Sequence, residues 1–182
     1  MPLFDIERIK RAVSLDEKVY AEIAKDKEGL NQAVVVVLLA ATISQILSIV
    51  LSGGFGILFL IPALVFILAV WVIGTGIMHI LAKLLGGKAQ FMDYLKATGF
   101  GYAPSALGII PIIGSLIGGL WSFACYVIAT KTVHQLSTGK AIIVVLVPVA
   151  ILIALIVFVV IAMLATFGMG GAFAGMPFDT GY

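Results

Sequence analysis

The stretch VVVVLLAATISQILSIVLSGGFGILFLIPALVFILAVWVIG, residues 34–74, belongs to a segment without charged residues that runs from position 29 to position 82. A bilayer core of about 30 Å is crossed by about 20 helical residues, so this segment is long enough for two membrane spans. The glycines of SGGFG, residues 52–56, favour a turn between them. The segment therefore predicts two spans, at 31–51 and 57–82.

The composition of the whole chain agrees with a membrane protein. Of its 182 residues, 62% are hydrophobic and only 11% are charged, whereas soluble domains carry about 25% charged residues. Most of the charges fall within residues 1–30, which we interpret as a cytosolic head. No run of basic residues indicates nucleic-acid binding, and the single cysteine, Cys125, excludes an intramolecular disulfide.

Residues 1–30 have the pattern of one or two short amphipathic helices. Ser14-Leu15-Asp16-Glu17 matches a capping box, in which Ser14 and Glu17 would satisfy free backbone donors. Apolar residues recur at helical spacing on both sides of it. The head either packs on its own membrane domain or the headgroups, or docks a cytosolic partner. The two apolar stripes are Leu3, Ile6, Ile9 and Val13, and then Leu15, Val19 and Ile23.

The rest of the chain predicts three further spans, at 91–110, 114–130 and 141–167, followed by a Gly-rich non-cytosolic tail at 168–182. The third span contains GFGYAPSALGIIPIIG, residues 99–114, where Pro104 predicts a kink. Only 34 residues separate Lys96 from Lys131, which is short for two crossings unless Lys96 snorkels and the span begins near Phe91, so a re-entrant hairpin is the alternative. The fold class is therefore all-α, a polytopic bundle of five transmembrane helices whose Gly/Pro-rich third helix is kinked and buried among its neighbours.

The positive-inside rule sets the expected orientation. With a cytosolic N-terminus and an external C-terminus, every Lys and Arg of the chain falls on the cytosolic side. The loops on that side carry Lys83, Lys88, Lys96, Lys131 and Lys140.

The spans offer few groups for chemistry. Apart from Asp93, which lies where span three begins and can pair with Lys96 at the interface, they hold no Asp or Glu. This weakens a pump or transporter. We find no nucleophile accompanied by a base, so we expect no enzyme, no cofactor and no metal. His79 and His134 are expected near the cytosolic ends of spans two and four. If they meet, interfacial hydrogen bonding is the simplest interpretation, with metal binding or pH sensing as the alternative.

Small and hydroxyl residues occur at helical spacing in spans one, three and four. They permit close helix packing or homo-oligomerisation, and a groove for lipid or another ligand is the functional alternative. Tyr94, Thr98 and Tyr102 form a second stripe on span three, and Gln45 of span one could hydrogen-bond to it. The small residues are Ala40, Ser44, Ser48 and Ser52, then Ala97, Gly101 and Ser105, then Gly114 and Gly118.

The run GGLWSFACYVIATKTVHQLSTGKAIIVVLVP, residues 118–148, resembles the C-terminal signature of the Yip-domain membrane proteins. That signature has a tryptophan in span four, a loop with histidine and then Ser-x-Gly-Lys-Ala, and a proline early in the last span. The Gly101-Tyr102-x-Pro104 turn and His79 before a Gly-Gly pair are also similar to the family. The signature positions are occupied here by Trp121, His134, Ser137, Gly139, Lys140, Ala141 and Pro148.

The resemblance implies five spans and a cytosolic N-terminus. Eukaryotic members are associated with Rab-type GTPases and vesicle traffic, whereas this short form resembles prokaryotic members, which implies a prokaryotic cell membrane. We therefore expect a non-enzymatic scaffold or adaptor that contacts membrane lipid, with a GTPase-like protein as the cytosolic partner that the family implies. The alternative is a small transporter or channel whose path follows Gln45, Tyr94, Thr98 and Tyr102.

Overall fold

A computed structural model describes residues 5–174, and the side chains as far as Thr166. Within this range the regular secondary structure is helical. Two 3₁₀ helices, Phe55–Phe59 and Ala103–Ile109, accompany seven α-helices. These are α1 (Ile6–Val13), α2 (Glu17–Lys25), α3 (Gly29–Leu51), α4 (Leu60–Leu84), α5 (Phe91–Gly101), α6 (Ile113–His134) and α7 (Thr138–Ala174).

The head consists of helices α1 and α2, and each is capped by an aspartate. Asp5 accepts a hydrogen bond from the backbone N–H of Arg8, and Asp16 accepts one from Lys18 at 2.9 Å. The predicted capping box is therefore wrong. Ser14 ends α1, and Leu15 turns the chain with a φ of 64°, so Asp16, directly before α2, is the residue placed to cap it.

Helix α2 buries one face against the rest of the molecule. Val19, Tyr20 and Ile23 are fully buried, and the Tyr20 hydroxyl donates to the carbonyl oxygen of Ala12 at 2.9 Å. The predicted stripes are only partly right, because Ile6 is 54% exposed and Leu15 is 37% exposed. Leu3 lies outside the described residues. The head is thus an integral part of the hydrophobic core.

Helix α3 covers the first span predicted from the uncharged segment, and the 3₁₀ helix Phe55–Phe59 together with α4 covers the second. Gly53 and Gly54 have positive φ in the turn that follows α3, and the 3₁₀ helix Phe55–Phe59 leads into α4. Gly86, with a φ of 93°, ends the turn after α4. We call the end of α3 at Gly29 the head end, and the end at Leu51 the far end.

The predicted third span, 91–110, consists of two elements. Helix α5 ends at Gly101, and the 3₁₀ helix Ala103–Ile109 follows with Pro104 in its first turn. Proline lacks the N–H that an α-helix would use here, and its ring restricts the preceding residue, which explains the change of helix type. A single kinked helix is therefore not confirmed.

Residues 96–112 lie alongside α3 in the same direction. At the head end, a Cβ on Gly29 would meet the Lys96 side chain at 3.1 Å, and a Cβ on Gly99 would meet that of Ala33 at 2.5 Å. Nearer the far end, a Cβ on Gly108 would lie 3.1 Å from the Ser44 Cβ. Absent side chains at these positions let the two backbones approach closely.

Helix α6 returns beside this segment. A Cβ on Gly118 would lie 2.6 Å from the Pro104 carbonyl oxygen, and one on Gly101 would lie 3.0 Å from the Tyr126 ring. The first turns of α7 then bury Ala141, Val144 and Val145. These residues end the first of two compact units. The second begins at Leu146, contains Pro148, and exposes most of its apolar side chains as far as Leu164.

Four helical segments within the described residues are long and apolar enough to cross a membrane. They are Gly29–Leu51, Phe55–Leu84, Ile113–His134 and Thr138–Thr166. Helix α7 continues to Ala174, and residues 175–182 of the predicted tail lie outside the described part of the chain.

Candidate functional site

Two histidines from different helices meet at the head end. Nδ1 of His79 on α4 lies 3.3 Å from Nε2 of His134 on α6, and their ring centroids are 5.0 Å apart. The sequence left open whether these two residues meet, and the structure brings them together. His134 is fully buried, and Gly87 makes room for it, because a Cβ at that glycine would lie 2.5 Å from the His134 Nδ1.

The imidazole of His134 packs against Tyr94 of α5, with ring centroids 4.7 Å apart in an edge-on arrangement. The Tyr94 hydroxyl forms a 2.7 Å hydrogen bond with the Thr130 hydroxyl on α6, and Thr130 also donates to the Tyr126 carbonyl oxygen. Tyr94 and Thr130 are fully buried. This arrangement joins α5 to α6 by polar contacts inside the core.

A second cluster of buried polar side chains joins α4 to α5 farther from the head end. The Trp71 indole N–H donates to the Thr98 hydroxyl at 3.2 Å, and the Thr75 hydroxyl lies 3.0 Å from the same Thr98 hydroxyl. Thr98 itself donates to the Leu95 carbonyl oxygen. Together these seven side chains form what we call the polar belt: Trp71, Thr75, His79, Tyr94, Thr98, Thr130 and His134.

The polar belt is suited to holding helices together. Its hydroxyl, indole and imidazole groups mostly bond to one another across α4, α5 and α6, which supplies partners to polar groups inside a membrane protein. Among the described residues, no group of three or more His, Cys, Asp or Glu side chains is placed to hold a metal ion.

The other sequence-predicted residues lie in different surroundings. Trp121 is 44% exposed and donates its indole N–H to the Val13 carbonyl oxygen of the head at 2.7 Å. Lys140 donates to the Leu85 carbonyl oxygen at 2.8 Å. Pro104 is buried against α6, and Gly101 receives the Tyr126 ring. Trp121 therefore belongs to the contact between the head and the bundle.

Gln45 does not meet the Tyr94–Thr98–Tyr102 stripe. It lines a cavity of about 550 Å³ near the far end of α3, whereas Tyr102 lines a separate cavity of about 240 Å³ beside α4. The two cavities share no lining residue, and Tyr94 and Thr98 lie in the buried polar belt. The structure thus does not bring the proposed transport path together.

We call the larger cavity the far-end crevice. It is bounded by α3, the 3₁₀ helix Ala103–Ile109 and α6, and no charged residue lines it. A smaller cavity of about 150 Å³ shares Gln45 and Ser48 with it and extends towards the start of α4. The hydrogen-bonding side chains that line the crevice are Ser44, Gln45, Ser48, Ser105 and Ser115.

A set of head contacts was not predicted from the sequence. Arg8 of α1 forms an ion pair with Asp26 and a hydrogen bond with Gln32 of α3 at 3.0 Å. The hydrogen bond from Arg8 holds the pKa of Asp26 below its ordinary value. One residue in the sequence did indicate these contacts. Gln32 is a polar residue one turn inside an apolar span, and the span follows a head rich in charge.

The fold and the site define a multi-pass helical membrane protein whose N-terminal head packs on its own bundle. The family model of the Yip1 domain matches residues 16–161, most of the chain, and the chain therefore belongs to the Yip1 domain family. This confirms the resemblance seen in residues 118–148. Comparison with curated proteins finds no match, and comparison with solved structures finds none either.

Proposed function

We propose that this protein is a non-enzymatic membrane scaffold that holds the α1–α2 head as a fixed platform for a cytosolic protein partner. The observation that carries the proposal is the two-sided nature of the head. One face is built into the hydrophobic core of the bundle, and the opposite face presents charges to solvent. A fixed, charged surface is suited to orienting a partner at a membrane.

The inward face is anchored to several elements. Trp121 and Lys131 of α6 bind the Val13 carbonyl oxygen and the Glu17 carboxylate respectively, and Lys96 of α5 donates to the Ala24 carbonyl oxygen at 3.1 Å. Together with the buried side chains of α2, these contacts support a head that does not swing freely from the bundle.

The outward face carries both signs of charge. Arg11 pairs with Asp16 and with Glu22, which links the turn after α1 to the middle of α2, and Lys10 pairs with Glu7 at 2.9 Å. Exposed pairs of this kind add little stability. They do fix a pattern of charge, and complementary charge on a partner gives specificity and faster association.

We further propose five crossings with a cytosolic N-terminus and an external C-terminus, in a prokaryotic cell membrane. Helix α5, with 11 residues, and the 3₁₀ helix, with 7, together extend about 30 Å at about 1.5 and 2.0 Å per residue. Their register with α3 from Lys96 to Ile112 supports a third crossing over a re-entrant hairpin, because both segments run between the same two ends.

Site-specific photocrosslinking in native membranes tests the platform. A photoreactive residue at Lys18, which is exposed on α2, should capture a cytosolic protein. The charge reversals Lys10→Glu and Glu22→Lys should reduce that capture at least fivefold. Lys27→Glu, an exposed lysine outside α1 and α2, is the matched control and should leave the capture unchanged. Capture of lipid alone, or capture that ignores the reversals, would contradict the proposal.

A further inference from the structure

We propose that the far-end crevice binds the uncharged, hydrogen-bonding head of a neutral glycerolipid from the leaflet opposite the N-terminal head. The inference is independent of the scaffold role, since it concerns the other end of the bundle. The far-end crevice has a volume of about 550 Å³, which is within the range of about 300–1,000 Å³ typical of ligand pockets.

The walls of the crevice determine the chemistry of the ligand. Serines line it from all three bounding elements, as with Ser48 on α3, Ser105 on the 3₁₀ helix and Ser115 on α6. Gln45 adds an amide, and no hydrogen bond is described for its side chain within residues 5–166. Amide and hydroxyl groups at membrane depth are costly unless a partner satisfies them, so an occupant with hydroxyl and ester groups is favoured.

The absence of charge from the lining, all of which lies among the described residues, selects against anionic lipids. A phosphate in a low-dielectric crevice needs a cationic or strongly polarised partner, and the lining supplies only hydroxyls, one amide and apolar groups. Serine and glutamine side chains can both donate and accept, so they match glycerol hydroxyls and ester carbonyls without a charge to neutralise.

The rim of the crevice is suited to the acyl chains. Leu51 and Ile112 line the cavity, and they are 75% and 84% exposed. Leu116 of α6, which lies one turn after Ile112, is 64% exposed. An amphiphile with its polar head between α3 and α6 can therefore lay its hydrocarbon over this apolar rim, which a soluble polar ligand would leave uncovered.

A larger side chain at Gly119 would fill the crevice without a clash. It lines the cavity, and a Cβ at this position would have no heavy atom within 4 Å. Gly119→Leu should therefore occupy the ligand volume while the surrounding backbone keeps its place. Gly139→Leu is the matched control, because Gly139 is equally unobstructed but lies in the first turn of α7. Gln45→Met removes the amide and nearly conserves the size of the side chain.

The experiment uses the full chain in nanodiscs that contain a few per cent of a diacylglycerol with a photoactivatable acyl chain. A phosphatidic acid with the same chains is tested in parallel. We expect diacylglycerol to label peptides around 44–51 and 105–119, and labelling to fall at least fivefold in Gly119→Leu and in Gln45→Met but not in Gly139→Leu. Thermal unfolding of each variant in the same nanodiscs verifies that it is folded.

Three outcomes would overturn the inference. They are equal labelling by phosphatidic acid, labelling that Gln45→Met leaves unchanged, and labelling no higher than that of lipid-exposed control peptides in 151–164. The last outcome would mean that the crevice does not bind diacylglycerol. Loss of folding in Gly119→Leu would leave the test with Gln45→Met, whose substitution adds little volume.

Discussion

The polar belt and the far-end crevice both contain uncharged polar side chains, but those of the belt are mostly buried and hydrogen-bonded, whereas those of the crevice border open volume. In the belt, Thr98 and Tyr94 each hydrogen-bond to a side chain on another helix and are fully buried. In the crevice, Gln45 and Ser48 border open volume on two sides of α3. Satisfied polar groups hold helices together, whereas accessible ones leave hydrogen-bonding capacity for a ligand.

The largest expected difference between the two regions comes from substituting one glycine that adjoins each of them. A Cβ at Gly99 would lie 2.5 Å from the Ala33 Cβ and 2.9 Å from the Trp71 ring, whereas Gly119 has open space. Gly99→Val should therefore lower the free energy of unfolding by about 2 kcal/mol or more through overpacking. Gly119→Val should change it much less, as measured by thermal unfolding in detergent. Equal destabilisation would contradict the contrast.

Removing one polar group from each region should give the next largest difference. Tyr94→Phe deletes a buried hydroxyl that bonds to Thr130, and we expect a loss of about 1–2 kcal/mol. Gln45→Met deletes an amide that has no described partner, and we expect little change in ligand-free detergent. Thermal unfolding of the two variants side by side measures the difference, and the reverse order would show that the crevice, not the belt, supports the fold.

Trp121→Phe tests the contact between the head and the bundle. This change keeps an aromatic ring but removes the indole N–H that donates to the Val13 carbonyl oxygen. The net loss should be about 1 kcal/mol, seen as about fivefold faster hydrogen exchange in α1. Exchange in the polar belt should be unchanged, and faster exchange throughout would mean that Trp121 supports the bundle as a whole.

The smallest expected effect is the response of the head to pH. Hydrogen bonds from Arg11 lower the pKa of Asp16 and of Glu22, and one from Arg8 lowers the pKa of Asp26. Their stabilising effect is complete above the ordinary carboxyl pKa of about 4. It is lost as the pH falls below that value, through the lower pKa of the folded state.

We therefore expect hydrogen exchange in α1 and α2, corrected for its intrinsic pH dependence, to increase about twofold between pH 5 and pH 3. Residues 38–51 of α3 contain no titratable side chain, so their exchange should remain constant over this range. Asp26→Asn should reduce the response of the head. An exchange rate in α1 and α2 that does not change with pH would contradict this assignment of charges.

The sequence predicted the class of the molecule and part of the belt. The uncharged run at 29–82 requires membrane spans, and the ordered residues around His134 indicated the family, which the Yip1 domain match confirms. The meeting of His79 with His134 could also be expected, since both lie near the same end of neighbouring spans. These features depend on local composition and on a short, ordered set of residues.

The sequence could not predict the surroundings of polar residues whose contacts depend on how neighbouring helices align with one another. Gln45 and Tyr102 are both polar residues of predicted spans, but close contact of Gly108 with Ser44 puts Gln45 beside the crevice rather than beside Tyr102. The capping residue of α2 was likewise decided by a single turn at Leu15. Such choices follow from packing between distant parts of the chain, which a hydrophobic pattern does not specify.

Thiol accessibility in sealed vesicles measures the contrast between the two regions most directly. In a Cys125→Ala background, single variants Ser115→Cys and Thr98→Cys would be exposed to a charged, membrane-impermeant thiol reagent from each side. Ser115→Cys should react from the side opposite the N-terminal head, and Thr98→Cys should react from neither side. Reaction at Thr98→Cys, together with protection at Ser115→Cys, would contradict the account of a closed belt and an open crevice.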